Sequence, residues 1–115
     1  MTPQESRVLV VDADADVRSV VEDLLFEQGF AVRQAANADQ AALELLNETF
    51  DVVLCHLTLL RSDRARLSRR VRELKPPPRV VAMSASGAQA GSDEASANLP
   101  KPFTRSQLLE VLRAR

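Results

Sequence analysis

Apolar and polar positions follow two rhythms along this chain, one after the other, several times over. Arg7-Val8-Leu9-Val10-Val11 is a short β-branched run ending at Asp12. Too short for a helix and apolar at successive positions, it predicts a parallel-sheet strand buried on both faces. From Asp14 to Gln28 the apolar positions become Val17, Val20, Val21, Leu24 and Leu25. That spacing is helical, with Asp14 placed as N-cap and Gly29 as the stop. Phe30 to Ala35 predicts a second, weaker strand, and Asn37-Ala38-Asp39-Gln40 has the form of a capping box, opening an Ala- and Leu-rich helix that runs to Glu48.

Val52-Val53-Leu54-Cys55 is a third strand, followed by an unassigned stretch from His56 to Ser62 and a helix whose inner stripe is Leu67, Val71 and Leu74. Pro76-Pro77-Pro78 must end that helix. Arg79 to Met83 is a fourth strand leading into Ser84-Ala85-Ser86-Gly87. Ala88 to Leu99 is small and polar and supports at most a short helix and a poor fifth strand. Thr104-Arg105-Ser106-Gln107 is a second capping box, ahead of Leu108, Leu109, Val111 and Leu112 in a last helix. Strand-helix alternation of this kind predicts an α/β fold. It is a three-layer, doubly wound sandwich with a five-stranded parallel sheet and helices on both faces. In such sheets functional groups gather at the carboxyl ends of the strands, near the topological switch point. Asp12, His56, Ser84 and Lys101 fall there.

A length of 115 residues with 45% hydrophobic positions fits one globular domain, residues 1–115, with no repeat or interdomain linker. Cys55 is the only cysteine, and Met1 to Val10 carries no signal stretch, which points to a reducing, cytoplasmic setting. No apolar run approaches the roughly 20 residues that span a bilayer. The net charge of −1 conceals two opposite halves: Met1 to Leu60 carries 3 basic and 11 acidic residues, Arg61 to Arg115 carries 12 and 5. Most of the positive charge lies between Arg61 and Arg79, where Arg61, Arg64, Arg66, Arg69, Arg70 and Arg72, with Lys75 and Arg79, face only Asp63 and Glu73. No aromatic residue interleaves with them for base stacking, which disfavours nucleic acid. The patch suits an acidic protein partner, including the acidic half of a second copy, or is simply a solvated helix face.

Taken together in order, Val8-Leu9-Val10-Val11-Asp12, Val81-Ala82-Met83-Ser84-Ala85 and Lys101-Pro102-Phe103 resemble the receiver domain of two-component response regulators, nearly end to end. The resemblance implies a flavodoxin-like receiver topology. It also implies a site in which an acidic pair after the first strand and an aspartate ending the third hold Mg²⁺. That aspartate attacks a phosphoryl donor, and a hydroxyl and a lysine bind the phosphoryl oxygens. A hard ion such as Mg²⁺ calls for carboxylates there and neutralises charge on the transferring group. In this chain the pattern is broken. Asp12 takes the first acidic position and Ala13 the second, while Asp14 and Asp16 lie beyond and serve the helix N-terminus. His56, the only histidine, takes the phosphoacceptor position, and Asn98 takes that of the aromatic switch. Phe26, Phe30, Phe50 and Phe103 all lie elsewhere. The stretch between Ser84 and Lys101 is shorter than is usual in the family, at the expense of the helix and strand there, and Leu60 and Arg64 replace the usual Pro and Gly after the third strand.

The expectation is therefore a pseudo-receiver. It is non-enzymatic, without metal or cofactor, and acts as a phosphorylation-independent protein-interaction module in a bacterial-type signalling or cell-organisation pathway, with self-association open. One rival is a receiver still phosphorylated at His56 or at Asp14. Another is a small flavin or nucleotide binder, disfavoured because the acidic Asp12 to Asp16 stretch replaces a Gly-rich phosphate loop. Several readings of His56 stand side by side: a neutral, hydrogen-bonded residue beside Asp12 and Lys101, a pH sensor, or a nitrogen phosphoacceptor. Metal ligation with Asp12 and Cys55 is disfavoured, because adjacent strand residues point to opposite sides. Lys101 is expected to pair with Asp12, and Ser84 to satisfy a loop amide or an anion.

Overall fold

The β-branched and apolar runs form the five strands of one sheet, and the capped amphipathic segments form the helices that cover it. The computed structural model describes residues 6–61, 67–85, 87–91 and 94–113. In chain order the elements are β1 (Arg7–Val11), α1 (Ala15–Glu27), β2 (Ala31–Ala35), α2 (Ala38–Asn47), β3 (Val52–His56), α3 (Leu57–Leu60), α4 (Leu67–Glu73), β4 (Arg79–Ser84), β5 (Ala97–Pro100) and α5 (Arg105–Arg113). The strands pair in the order β2-β1-β3-β4-β5, every pair parallel. Strand order reverses between β1 and β3, and the carboxyl ends of those two strands are Val11 and His56. In a doubly wound sheet this is the end at which functional groups gather.

Local signals set the helix starts. Asp14 accepts from the Asp16 amide at 2.9 Å as the α1 N-cap. The Asn37 side chain accepts from the Gln40 amide at 2.8 Å, and Gln40 Oε1 in return accepts from the Ala36 amide at 2.7 Å. Thr104 and Gln107 close a reciprocal box at 3.1 and 2.8 Å. Gly29 leaves α1 with φ of 87°, a left-handed conformation that glycine adopts without strain.

Alternate residues of the sheet feed two cores. Leu9, Val11, Val53, Cys55, Val80 and Ala82 pack under α2, α3 and α4. Val8, Val10, Val52, Leu54, Val81 and Met83 pack under α1 and α5. These are the three layers.

The structure departs from the sequence expectations in particular places. Among the described residues between β4 and β5 no helix forms, although β5 does pair with β4. The unassigned stretch after β3 contains one helical turn, α3, and the second strand begins at Ala31 rather than Phe30. Val20, placed in the apolar stripe by its spacing, is 57% exposed. Spacing alone cannot distinguish the centre of a buried face from its rim.

Candidate functional site

Four elements bring the expected residues to one end of the sheet. Asp12 follows β1 directly, and its residue is only 3% exposed. Such burial demands partners for both carboxylate oxygens, and both have one. Oδ1 accepts from the Asp14 amide at 2.9 Å, and Oδ2 lies 2.7 Å from Lys101 Nζ. The main chain of Asp12 is tied as well: its amide donates to the Ala35 carbonyl at 3.1 Å, and its carbonyl accepts from an Arg18 guanidinium nitrogen at 2.7 Å. Arg18 in turn reaches Gln34 Oε1 at 3.0 Å, and Gln34 donates to Glu22. Lys101 follows β5, and its amide donates to the Ser84 carbonyl at 2.7 Å, so the lysine backbone is anchored to the end of β4.

His56 closes β3 and caps α3. Its Nδ1 accepts from the Thr58 amide at 3.2 Å. The hydrogen-bonding partner is thus the local backbone, whereas the Asp12 oxygens are given to Asp14 and Lys101. Cys55 faces the opposite core, fully buried, with Sγ 3.4 Å from the His56 carbonyl. Burial, and secondarily the nearby Asp12 charge, push the Cys55 thiol far up; it is an inert side chain rather than a ligand. Ser84 donates its hydroxyl to the Ala88 carbonyl, whereas a loop amide was the expected partner. His56, Thr58, Arg61 and Ser84 line a recess of about 430 Å³.

Two further ties hold the segment between β4 and β5. Asn98 grips the Ala90 backbone in both directions, accepting from its amide at 2.8 Å and donating to its carbonyl at 3.1 Å. Arg61 is not part of a free basic patch: it makes a two-pronged contact with Glu94 at 2.7 and 2.9 Å and donates to the Gln89 carbonyl at 3.2 Å. Arg69, Arg70 and Arg72 do share α4, all exposed, with Arg69 3.4 Å from Glu73 and Arg72 3.4 Å from the Ser68 carbonyl. Arg64 and Arg66 lie outside the described residues.

The Arg61 hydrogen bond, followed by that of the Gly91 amide, holds the Glu94 carboxyl well below its ordinary 4.5, at about 2. A carboxyl lowered on folding contributes fully above its unfolded value and loses the contribution as pH falls through the folded one. Hydrogen exchange at the Gly91 amide is therefore expected to stay slow from pH 7 down to about 4.5 and to accelerate, beyond its intrinsic pH trend, progressively from there to about 2. Loss of protection already near pH 6 would show that the clamp does not hold the segment.

Among the described residues no three His, Cys, Asp or Glu side chains come together in a way that could hold a metal ion. At the strand ends the position beside Asp12 is an alanine, β3 ends in histidine, and both Asp12 oxygens are already engaged. The donor set does not fit Mg²⁺, which wants several oxygen ligands.

A doubly wound parallel sheet of this strand order, with a buried carboxylate-lysine pair at its switch-point end, defines the class of CheY-like signalling domains. The chain belongs to the response regulator receiver domain family, whose model matches residues 8–113. It is 29% identical to the transcriptional regulatory protein ResD of Bacillus subtilis over 117 residues, covering 96% of this chain and 48% of that protein. It is 28% identical to the transcriptional regulatory protein CpxR of Escherichia coli, covering 95% and 48%. The chain thus spans about half the length of the curated relatives it matches. The chemotaxis response regulator CheY4 of Vibrio cholerae superimposes with a TM-score of 0.82 at 22% identity, over 96% of this chain and 98% of that one, which establishes the shared fold. Receiver domains are modules of bacterial two-component signalling, and no helix among the described residues is long and apolar enough to cross a membrane.

Proposed function

We propose that residues 1–115 form a pseudo-receiver: a receiver fold that works as a phosphorylation-independent interaction module rather than as an acceptor of aspartyl phosphate. The observation that carries this reading is the closed Asp12 centre. Lys101 Nζ, 2.7 Å from Asp12, and the Asp14 amide, at 2.9 Å, take up both oxygens of the carboxylate at the switch point. Ala13 and His56 supply no second carboxylate. An incoming phosphoryl group would find no carboxylate nucleophile at the end of β3, and only Lys101, already paired with Asp12, in place of a carboxylate set that holds a divalent cation. The partner on this reading is another protein of a signalling or cell-organisation pathway, met through a surface held in one conformation.

Intact-mass measurement after incubation with acetyl phosphate and Mg²⁺ tests it. The expected spectrum is that of the unmodified chain. A stoichiometric phosphoryl adduct would overturn the reading. Its disappearance in His56→Ala or in Asp14→Ala would then identify the acceptor.

A further inference from the structure

Among the described residues, the large hydrophobic side chains left exposed fall in two places. Val20 and Phe26, 57% and 76% exposed, lie on α1, and Leu43 and Leu46, 59% and 73% exposed, lie on α2. On α1 the outward stripe at helical spacing is Asp16, Val20, Asp23, Phe26 and Glu27, all exposed. The helix carries Asp16, Glu22, Asp23 and Glu27 against Arg18, a net of −3. Beside Leu46 a groove of about 210 Å³ runs between α2 and α4, lined by Ala42, Leu45, Leu46, Arg70, Glu73 and Leu74. Arg70 and Glu73 line the groove itself, and the segment that borders it carries Arg69, Arg70, Arg72 and Lys75 against Glu73, a net of +3. Neither carboxylate of α2 lines this groove: Asp39 is at the amino end of the helix, and Glu44 lies where it favours the charge on Arg33 of β2.

An acidic helix with an aromatic side chain thus matches an apolar groove bordered by a basic helix. We propose that a second copy of this chain is the occupant: α1 of one molecule seats Phe26 in the α2–α4 groove of the next, with Asp23 and Glu27 against the α4 arginines. Two of the contacts already made by these elements, Glu27 with Arg105 at 3.5 Å and Arg69 with Glu73 at 3.4 Å, are exposed ion pairs and can be exchanged. The two patches lie on opposite layers of the sandwich, α1 with α5 and α2 with α4. The contact is therefore heterologous, and it repeats from copy to copy instead of closing on itself as a two-fold pair. Phe26, Leu46 and Glu73 lie near the carboxyl ends of their helices. In a parallel sheet those ends sit opposite the strand ends that carry Asp12 and Lys101, so assembly leaves that end uncovered. One helix in one groove falls short of the roughly 1,200 Å² of a standard stable interface, so the association is weak and concentration-dependent.

Sedimentation velocity on the wild-type chain over a concentration series reaching millimolar tests this. At about 0.01 M salt, where screening extends over roughly 30 Å, species larger than dimers are expected to grow with concentration. At about 1 M, where it extends over roughly 3 Å, the association is expected to weaken by about tenfold or more. Phe26→Asp and Leu46→Asp each remove one patch at an exposed position, and each is expected to sediment as a folded monomer, with circular dichroism checking the fold. Mixed in equal amounts they are expected to form dimers and nothing larger, because each retains the patch the other lacks. A wild-type chain that stays monomeric at low salt would overturn the proposal. So would an association that stops at the dimer and is not restored by mixing, or one indifferent to salt.

Discussion

Lys101→Met is expected to lower the stability of the domain by about 3 kcal/mol, read as a fall in the urea midpoint with an unchanged denaturant slope. The substitution keeps the length and apolar volume of the side chain but removes its charge. The Asp12 carboxylate, 4% exposed, is then left with only the Asp14 amide. Removing one partner of a buried ion pair typically costs 3 to 5 kcal/mol, because the other charge stays buried without compensation. The lysine itself is 20% exposed, which places the effect toward the low end. Adding Asp12→Asn to Lys101→Met is expected to return part of the loss, since the stranded charge goes with it. A single variant within about 0.5 kcal/mol of wild type, the range of an ordinary surface change, would mean that the pair is ornamental.

The second large effect is a gain of function. Ala13→Asp together with His56→Asp is expected to create Mg²⁺ binding that the wild-type chain lacks, because two hard oxygen donors are returned beside Asp12. Without the ion, three carboxylates would then surround one lysine, and like-charge repulsion should leave the double variant less stable than wild type. Adding Mg²⁺ should reverse the loss: an ion that binds only the folded state stabilises it by about 2.7 kcal/mol at a concentration 100 times its Kd. Thermal unfolding with and without Mg²⁺ gives the comparison, and backbone amide spectra place the shifts. No Mg²⁺-dependent shift in the double variant would show that Ala13 and His56 do not occupy the positions the receiver resemblance gives them.

Much of the architecture could be read from the chain because its signals are local. The caps at Asp14, Asn37 and Thr104 and the turn at Gly29 each act over a few residues, and the structure contains all of them. The Asp12–Lys101 pair spans 89 positions in sequence, yet it was expected, because the receiver resemblance implies it and both residues follow strands whose carboxyl ends share one edge of a parallel sheet. The segment between β4 and β5 was not readable in the same way. Its residues are small and without periodicity, and its path is set by contacts such as Arg61 with Glu94, 33 positions apart, and Asn98 with Ala90. No spacing rule points to either. The capping contact of His56 was unreadable for a related reason: an imidazole can cap a helical turn, titrate or ligate, and no spacing rule announces the bond from the Thr58 amide at 3.2 Å.

The ties on that segment also bear on what kind of signal this domain can give. Ser84 holds Ala88, Asn98 holds Ala90 from both sides, and Arg61 holds Gln89 and Glu94. Bistability needs two arrangements of similar free energy, and taking such a pair from 1:99 to 99:1 requires a ligand to discriminate between them by about 5.5 kcal/mol. These ties, on the pseudo-receiver reading, favour one arrangement of the segment over a second. On the pseudo-receiver reading the output is constitutive: a partner responds to how many copies are present and where they are, and gene dosage, synthesis and turnover become the control variables in place of a chemical mark.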